Sequence, residues 1–470
     1  MPDSIMTLFP LVLNEMESMK IPLELSANVA LEQIRALSAG FDMAKNVHDT
    51  GLRMTRQFVS LTPQGEREKT EACFDLYRET TDSLYHLYRK SLLQPLIRYY
   101  QERTGELDFI RLFTDALPQQ DWSDEVAHSR VLLDLPSMKL IDISADVNHT
   151  VENYTVVFAP RAGHHSNIAE RVALYLRSCG LTRMAIVEQK CAEDIPLLVD
   201  GTRHHENFDG QVEQYRRILQ HLRDRAGYPS HLVAVCQPGP LLMTTLILNP
   251  ELGKTFGSAG SPMDTDAERG FLTDFCRAAG AHYMENLDVL FGRKVREERT
   301  GSGRDMFDGR LHVLGFYLLS SDMHARNFRR LLDDLKKGKV ADAQRQMAFY
   351  QWYNFVQCFP TSFIEDTYKR IFVKNELIRG KLTIDGRRVD VADYPGSVPI
   401  WALGGAADNI APPLQATGHM KYITSVPDSQ KLTLICDGGH MALFRSEKVL
   451  REHYTRIAAF MLDHSDIHSK

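Results

Sequence analysis

The segment His231-Leu-Val-Ala-Val-Cys236-Gln-Pro-Gly-Pro-Leu-Leu-Met243 constrains this chain more than any other. A β-branched, apolar run stops at a single cysteine. Small residues and prolines follow at once, and then an apolar run suited to a helix. The pattern predicts a strand, a tight turn and a helix, with the cysteine held at the C-terminal edge of a sheet. A lone buried cysteine is ordinarily an inert small hydrophobe. A helix that begins beside the thiol changes this, because its N-terminal N–H groups stabilise a thiolate. The turn is Ala234-Val-Cys236-Gln-Pro238 and not a Gly-x-Ser-x-Gly elbow, so the argument rests on context.

Two later loops add to it. Asp408 lies in Leu403-Gly-Gly-Ala-Ala-Asp408-Asn-Ile-Ala-Pro-Pro413, after the strand candidate Val398-Pro-Ile-Trp-Ala-Leu403. His440 lies in Asp437-Gly-Gly-His440, after the strand candidate Lys431-Leu-Thr-Leu-Ile-Cys436. The two glycines let the loop turn sharply and present the imidazole. A histidine near neutrality can take a thiol proton and return it to a leaving alcohol. A carboxylate holds its tautomer and stabilises the imidazolium. Singly, Asp408 also reads as an Asx-turn residue, and His440 is one of eighteen histidines. Three such groups at successive strand ends, in the order Cys…Asp…His, are expected to form one catalytic set.

A tetrahedral oxyanion needs donors. The backbone N–H of Gln237 is one. The others are expected from Ala162 and Gly163, in the loop Pro160-Arg-Ala-Gly-His164-His-Ser-Asn167 after the first strand of the parallel sheet. His164 and His165 could be read as metal ligands, but no carboxylate–histidine spacing supports them, and no metal or resident cofactor is expected.

Between about 150 and 265, strand and helix candidates alternate: Asn153–Pro160, Ile168–Leu176, Arg183–Glu188, Gly210–Leu222 and Leu232–Val235. Alternation implies a mostly parallel sheet covered on both faces. Residues from about 10 to 105 read as helical, with a break at Ser60–Gly65. Leu76, Thr80, Leu84, Leu87 and Leu92 fall on one face. That region is either a bundle packed on the main domain or an amphipathic surface for an apolar partner. The segment 266–396 is mostly helical and aromatic-rich and reads as an inserted cap. Most of its aromatics should be core, but Trp352 and Phe355, with His164, are expected to line a substrate channel. The predicted organisation is a helical region 1–140, a core 141–265, a cap 266–396 and a second core part 397–470.

With 43% hydrophobic and 25% charged residues the chain can bury a large core, and a net charge of −6 offers no basic face for nucleic acid. Seven scattered cysteines without a Cys-x-x-Cys pair fit a reducing compartment. The N-terminus lacks the features of a signal peptide. No apolar run reaches the roughly 18 residues of a membrane span. A cytoplasmic location is expected, and a homo-oligomer is compatible with the sequence.

Several stretches resemble the intracellular polyhydroxybutyrate (polyhydroxyalkanoate) depolymerase family. They are Ala159-Pro-Arg-Ala-Gly-His164, Asp194-Ile-Pro196, Val233-Ala-Val-Cys-Gln-Pro238, Gly260-Ser-Pro-Met-Asp-Thr265, Phe359-Pro-Thr-Ser-Phe363, Arg379-Gly-Lys-Leu-Thr-Ile-Asp-Gly-Arg-Arg-Val-Asp390 and Gly439-His-Met-Ala-Leu-Phe444. The resemblance spans about 150–460. It implies an α/β-hydrolase fold, with Cys236 as nucleophile, Asp408 as acid and His440 as base. It implies hydrolysis of stored poly(3-hydroxyalkanoate), with the polymer or granule surface as partner and granule association as location. Coenzyme A is a conceivable acyl acceptor in place of water. The sequence departs from the family pattern at Arg161, where Met is expected, at Gly239-Pro240 after the cysteine, and at Ala406-Ala407 before Asp408. Two rivals remain. A polyhydroxyalkanoate synthase would use the same three residues, but Ala234 and Pro238 replace the glycines of its cysteine box. A non-catalytic granule-binding protein would need only the helical region.

Overall fold

Residues Ser230–Val235 are buried at every position, and the strand they form sits at the middle of the molecule's main sheet. The computed structural model describes residues 18–20, 23–59, 64–115, 129–145, 149–162, 167–280, 282 and 292–467. The sheet strands are β1 (Arg130–Asp134), β2 (Met138–Asp142), β3 (Thr155–Phe158), β4 (Met184–Gln189), β5 (Ser230–Val235), β6 (Gly253–Ala259), β7 (Ile400–Gly405) and β8 (Lys431–Cys436). Their spatial order is β1-β2-β4-β3-β5-β6-β7-β8. From β4 through β8 the neighbours pair in parallel, whereas β1 and β2 add by antiparallel pairing. β3, β5 and β7 are buried throughout, as parallel strands with helices on both faces must be, which is why Val156–Phe158, Leu232–Val235 and Ile400–Leu403 read as apolar runs.

The helices that cover this sheet start and stop on local signals. Asn207 caps the helix Phe208–Ala226 by accepting the Gly210 N–H at 2.9 Å, and Gly227 ends it at φ +79°. Its buried stripe, including Val212, Tyr215, Ile218, Leu219 and Leu222, shares one core with Val156, Phe158, Leu232, Ala234 and Leu242. The chain leaves β3 for β4 on one side, while β5 lies on the other. The C-terminal ends of β3 and β5 therefore flank a topological switch point, where α/β sheets open a crevice.

Two features differ from the sequence expectation. The helical region expected over 1–140 ends in strand instead, with β1 at Arg130–Asp134 and β2 at Met138–Asp142 running on into the expected core. Val131-Leu-Leu133 and Met138-Lys-Leu-Ile141 are apolar runs too short for periodicity to separate strand from helix. The turn between them contains Pro136, and the Ser137 N–H is held by Gln214 Oε1 at 3.1 Å. The described parts of 1–118 group with 321–351 as one compact unit, and those of 119–320 with 352–470 as another, so the inserted segment is not one cap. Close helix packing accounts for the grouping. A Cβ on Gly105 would lie 2.7 Å from the backbone of Leu335, Phe109 meets Phe328 edge-on with centroids 6.1 Å apart, and Lys336 pairs with Glu106 at 2.7 Å.

Where the first two long helices of this unit meet, charged pairs accompany the Phe41–Tyr88 ring contact, and several apolar side chains face outward. Between Val29–Val59 and Gln64–Tyr88, Lys45 pairs with Asp82 at 2.6 Å, and Asp42 takes Arg89 at 3.0 Å and the Tyr85 hydroxyl. Facing outward on Val29–Val59 are Gln33, Leu37, Gly40, Ala44, Val47, Gly51 and Met54, in steps of four and three residues, all exposed. Leu76, Leu84, Leu87 and Leu92 on the following helices are also exposed, at 66, 60, 62 and 48%. This reverses the usual arrangement of a surface helix.

Gly257 in β6 pairs with Trp401 in β7, and a Cβ there would lie 1.7 Å from the fully buried indole. Gly257→Ala is expected to cost about 1–3 kcal/mol through overpacking. Thermal denaturation checks this: the melting temperature falls, and an unchanged one would show that the indole can give way.

Candidate active site

Cys236 follows β5 directly and carries a φ of +63°, one of four non-glycine residues among those described with positive φ. Such a conformation costs on the order of 1–3 kcal/mol and persists only where surroundings enforce it. Here they do. The Cys236 N–H donates to Ala259 O at the end of β6, at 2.9 Å, and its carbonyl accepts the Gly239 N–H at 3.3 Å. The helix Pro238–Leu248 begins two residues later, with proline in its first turn. Gly239 has a steric reason: a Cβ would lie 2.5 Å from Ser261 Cβ and 2.7 Å from Met263 Sδ. The absence of a β-branched residue after the cysteine is therefore a requirement of this packing.

The loops after β7 and β8 lie side by side because those strands stay in register to their last residues, Gly405 opposite Cys436. Ala406 and Ala407 donate across to Cys436 O and Gly438 O at 2.9 and 3.0 Å. Asp408 is buried, and its Oδ1 accepts the N–H groups of Ile410 and Ala411 at 2.8 and 2.9 Å. Its Oδ2 lies 2.8 Å from His440 Nδ1, and His440 Nε2 lies 3.2 Å from Cys236 Sγ. A carboxylate can only accept, so Nδ1 is the donor in that contact. Phe444 packs edge-on against the imidazole at 5.5 Å. Burial opposes a charge on His440, yet Cys236 and Asp408 outweigh it and hold the imidazole well above its usual range. Cys236, His440 and Asp408 are thus one contiguous chain of polar contacts.

Arg161 and Glu206 were not predicted as a pair. Both are almost wholly buried, with guanidinium and carboxylate 3.3 Å apart. Burial pushes Glu206 upward, but His204, Arg161 and Gln211 together keep it below the ordinary carboxylate range. The pairing joins residues 45 positions apart, and no local pattern could reveal it. The Arg161 N–H donates to Gln237 Oε1 at 3.0 Å, so the loop after β3 is tied to the residue after Cys236. Ala162 is half-buried beside it. Gly163, His164 and His165 lie outside the described residues. Trp352 is buried with the Arg445 guanidinium 5.0 Å from its ring centre, and Phe355 is half-buried in the turn that follows. Among the described residues no group of three or more His, Cys, Asp or Glu side chains could hold a metal, and no helix is long and apolar enough to cross a membrane.

The strand order is that of an α/β-hydrolase fold, and it brings a strained cysteine after the central strand together with a histidine and an aspartate after the last two strands. Residues 260–465, which contain Asp408 and His440, match the family model described as "PHB de-polymerase C-terminus". Among solved structures the chain is similar to a soluble variant of monoglyceride lipase from Saccharomyces cerevisiae in complex with a substrate analog, at 11% identity and a TM-score of 0.45, covering 75% of this chain and 96% of that one. It is also similar to Paleococcus ferrophilus monoacylglycerol lipase, at 14% identity and 0.39, covering 68% and 98%, and to a thermophilic esterase from Thermogutta terrifontis, at 10% and 0.36, covering 70% and 95%. Comparison with curated proteins yields no match.

The raised proton affinity of His440 gives a pH prediction. Its contribution to stability is fully present below about pH 6.5, the unfolded value, and is lost as pH rises through the higher folded value. NMR titration should find His440 still protonated above the ordinary histidine range. Asp408→Asn should bring its titration down, and an unmoved midpoint would remove Asp408 from the cause.

Proposed function

We propose that this protein is a depolymerase that hydrolyses the ester bonds of stored poly(3-hydroxyalkanoate), poly(3-hydroxybutyrate) first among them, through Cys236, His440 and Asp408. The observation that carries the reading is the unbroken contact from Asp408 Oδ2 through the imidazole to Cys236 Sγ, in a chain whose residues 260–465 match the depolymerase model. His440 Nε2 takes the thiol proton, and the sulfur attacks the ester carbonyl. The carbonyl oxygen becomes an oxyanion, for which the backbone N–H groups of Gln237, Ala162 and Gly163 are the assigned donors. Collapse forms a thioester and breaks the C–O bond, and His440 returns its proton to the departing 3-hydroxyl. Water, deprotonated by His440, then attacks the thioester, and the thiol is regenerated with release of the acid. The proton transfers and the oxyanion donors supply on the order of 10²–10³-fold each. His164, Trp352 and Phe355 are the side chains assigned to the polymer. Coenzyme A in place of water would give a thiolytic variant of the same cycle.

Granule association fits the same reading. The outward face of Val29–Val59, from Gln33 to Met54, carries no charge at its seven seam positions. An uncharged polyester surface matches such a face, whereas anionic lipid would call for lysine and arginine.

The test is release of 3-hydroxybutyrate from native amorphous granules. Cys236→Ala should lower it by roughly 10³-fold or more, while the protein stays folded. Equal release by wild type and variant would take Cys236 out of the mechanism, and acyl-CoA as the product would mark thiolysis. The double substitution Leu37→Asp, Val47→Asp should abolish co-sedimentation with granules and leave hydrolysis of a soluble ester intact. Co-sedimentation as in the wild type would free that face of the role.

A further inference from the structure

The residue after the nucleophile reaches the loop after β3 through its own side chain. Gln237 Oε1 accepts the N–H of Arg161 at 3.0 Å, and the backbone N–H of the same Gln237 is the first oxyanion donor assigned above. The carbonyl of Arg161 accepts from Gln357 Nε2 at 3.5 Å. In a trans peptide the C=O and the following N–H point in opposite directions. A grip on the Arg161 carbonyl therefore aims the Ala162 N–H, the next assigned donor, away from Gln357. The Arg161 side chain is the third anchor. It is buried, donates to Lys190 O at 2.9 Å, faces Glu206 at 3.3 Å and lies 5.2 Å from the centre of the Phe363 ring. Glu206 is itself fastened by His204 at 3.0 Å and by Gln211. Residue 161 is thus held at its N–H, its carbonyl and its side chain, next to a donor whose placement decides how well charge is stabilised.

Resting on the hydrolase reading, we infer that Gln237 is a positioning residue: its side-chain carbonyl locks the Ala162 donor to the Gln237 donor, with Gln357 as a second clamp. A methionine at 237 would fill similar space but accept no hydrogen bond, so the Arg161 N–H would lose its partner and the loop would be free to drift. The consequence is specific. Attack of the Cys236 thiol on a carbonyl builds an oxyanion and suffers. Alkylation of the same thiol by iodoacetamide forms a C–S bond, expels iodide and builds no oxyanion, so it does not suffer.

The experiment measures both reactions on full-length wild type, Gln237→Met and Gln357→Met. Turnover is read with p-nitrophenyl butyrate. Alkylation is followed at Cys236 by peptide mass spectrometry, because a hydrogen bond from Cys358 lowers the Cys191 thiol and makes it a competing target. Gln237→Met should lower kcat roughly 10–100-fold with KM within about twofold, at an unchanged alkylation rate, and Gln357→Met should act in the same direction more weakly. Unchanged kcat in Gln237→Met overturns the inference. Parallel loss of turnover and alkylation also overturns it, since the side chain would then only support the fold. A wild type that cleaves the soluble ester but not polymer would sink the polymer reading alone and leave this test standing. A wild type that cleaves neither would end both.

Discussion

The catalytic reading of this molecule depends on one strained turn. Cys236 adopts a left-handed backbone that β-carbon sterics disfavour, and it is kept there by Ala259 O on the neighbouring strand and by the helix that starts at Pro238. The fully buried parallel strands β3, β5 and β7 supply the rigidity that offsets the strain. Because β5 ends beside β3 at the switch point, the same turn brings Gln237 within reach of the loop at Arg161. Because β7 and β8 end in register, the loops carrying Asp408 and His440 converge on the same edge of the sheet.

The electrostatics of the site follow from burial. An isolated imidazole at the depth of His440 would lose its proton. Asp408, with one oxygen engaged by two backbone N–H groups and the other by Nδ1, supplies a fixed negative charge that reverses this preference together with Cys236. A histidine that holds a proton readily is suited to receive one from a thiol. The buried Arg161–Glu206 pair answers a different need. Both ions are out of water, and each keeps partners beyond the other, Lys190 O for the guanidinium and His204 and Gln211 for the carboxylate.

Much of this was legible in the residues. The alternation of strands and helices from β3 to β5 follows from apolar periodicity, and the positions of Cys236, Asp408 and His440 at strand ends follow from the breaks in it. What escaped was nonlocal or too short to show a period. β1 and β2 are five-residue strands, the first inside and the second across the end of the stretch 1–140 read as helical. The helix Ser321–Lys336 carries no mark in its own sequence that it groups with the N-terminal helices, and Gly105 becomes informative only once Leu335 is beside it. Gly239 looked like a departure from a pattern until Ser261 and Met263 were seen against it. The outward apolar face of Val29–Val59 could be drawn on a helical wheel, but which side met its neighbours was decided by Asp42, Lys45 and their partners on the next helix.

The most direct measurement of the central claim is the covalent intermediate itself. The wild-type protein, mixed with a 3-hydroxybutyrate oligomer and quenched in acid within one turnover, should carry a 3-hydroxyacyl group as a thioester on the peptide containing Cys236, and the adduct should be released by hydroxylamine. An adduct on another residue, or burst-free turnover with no adduct at all, would contradict the account.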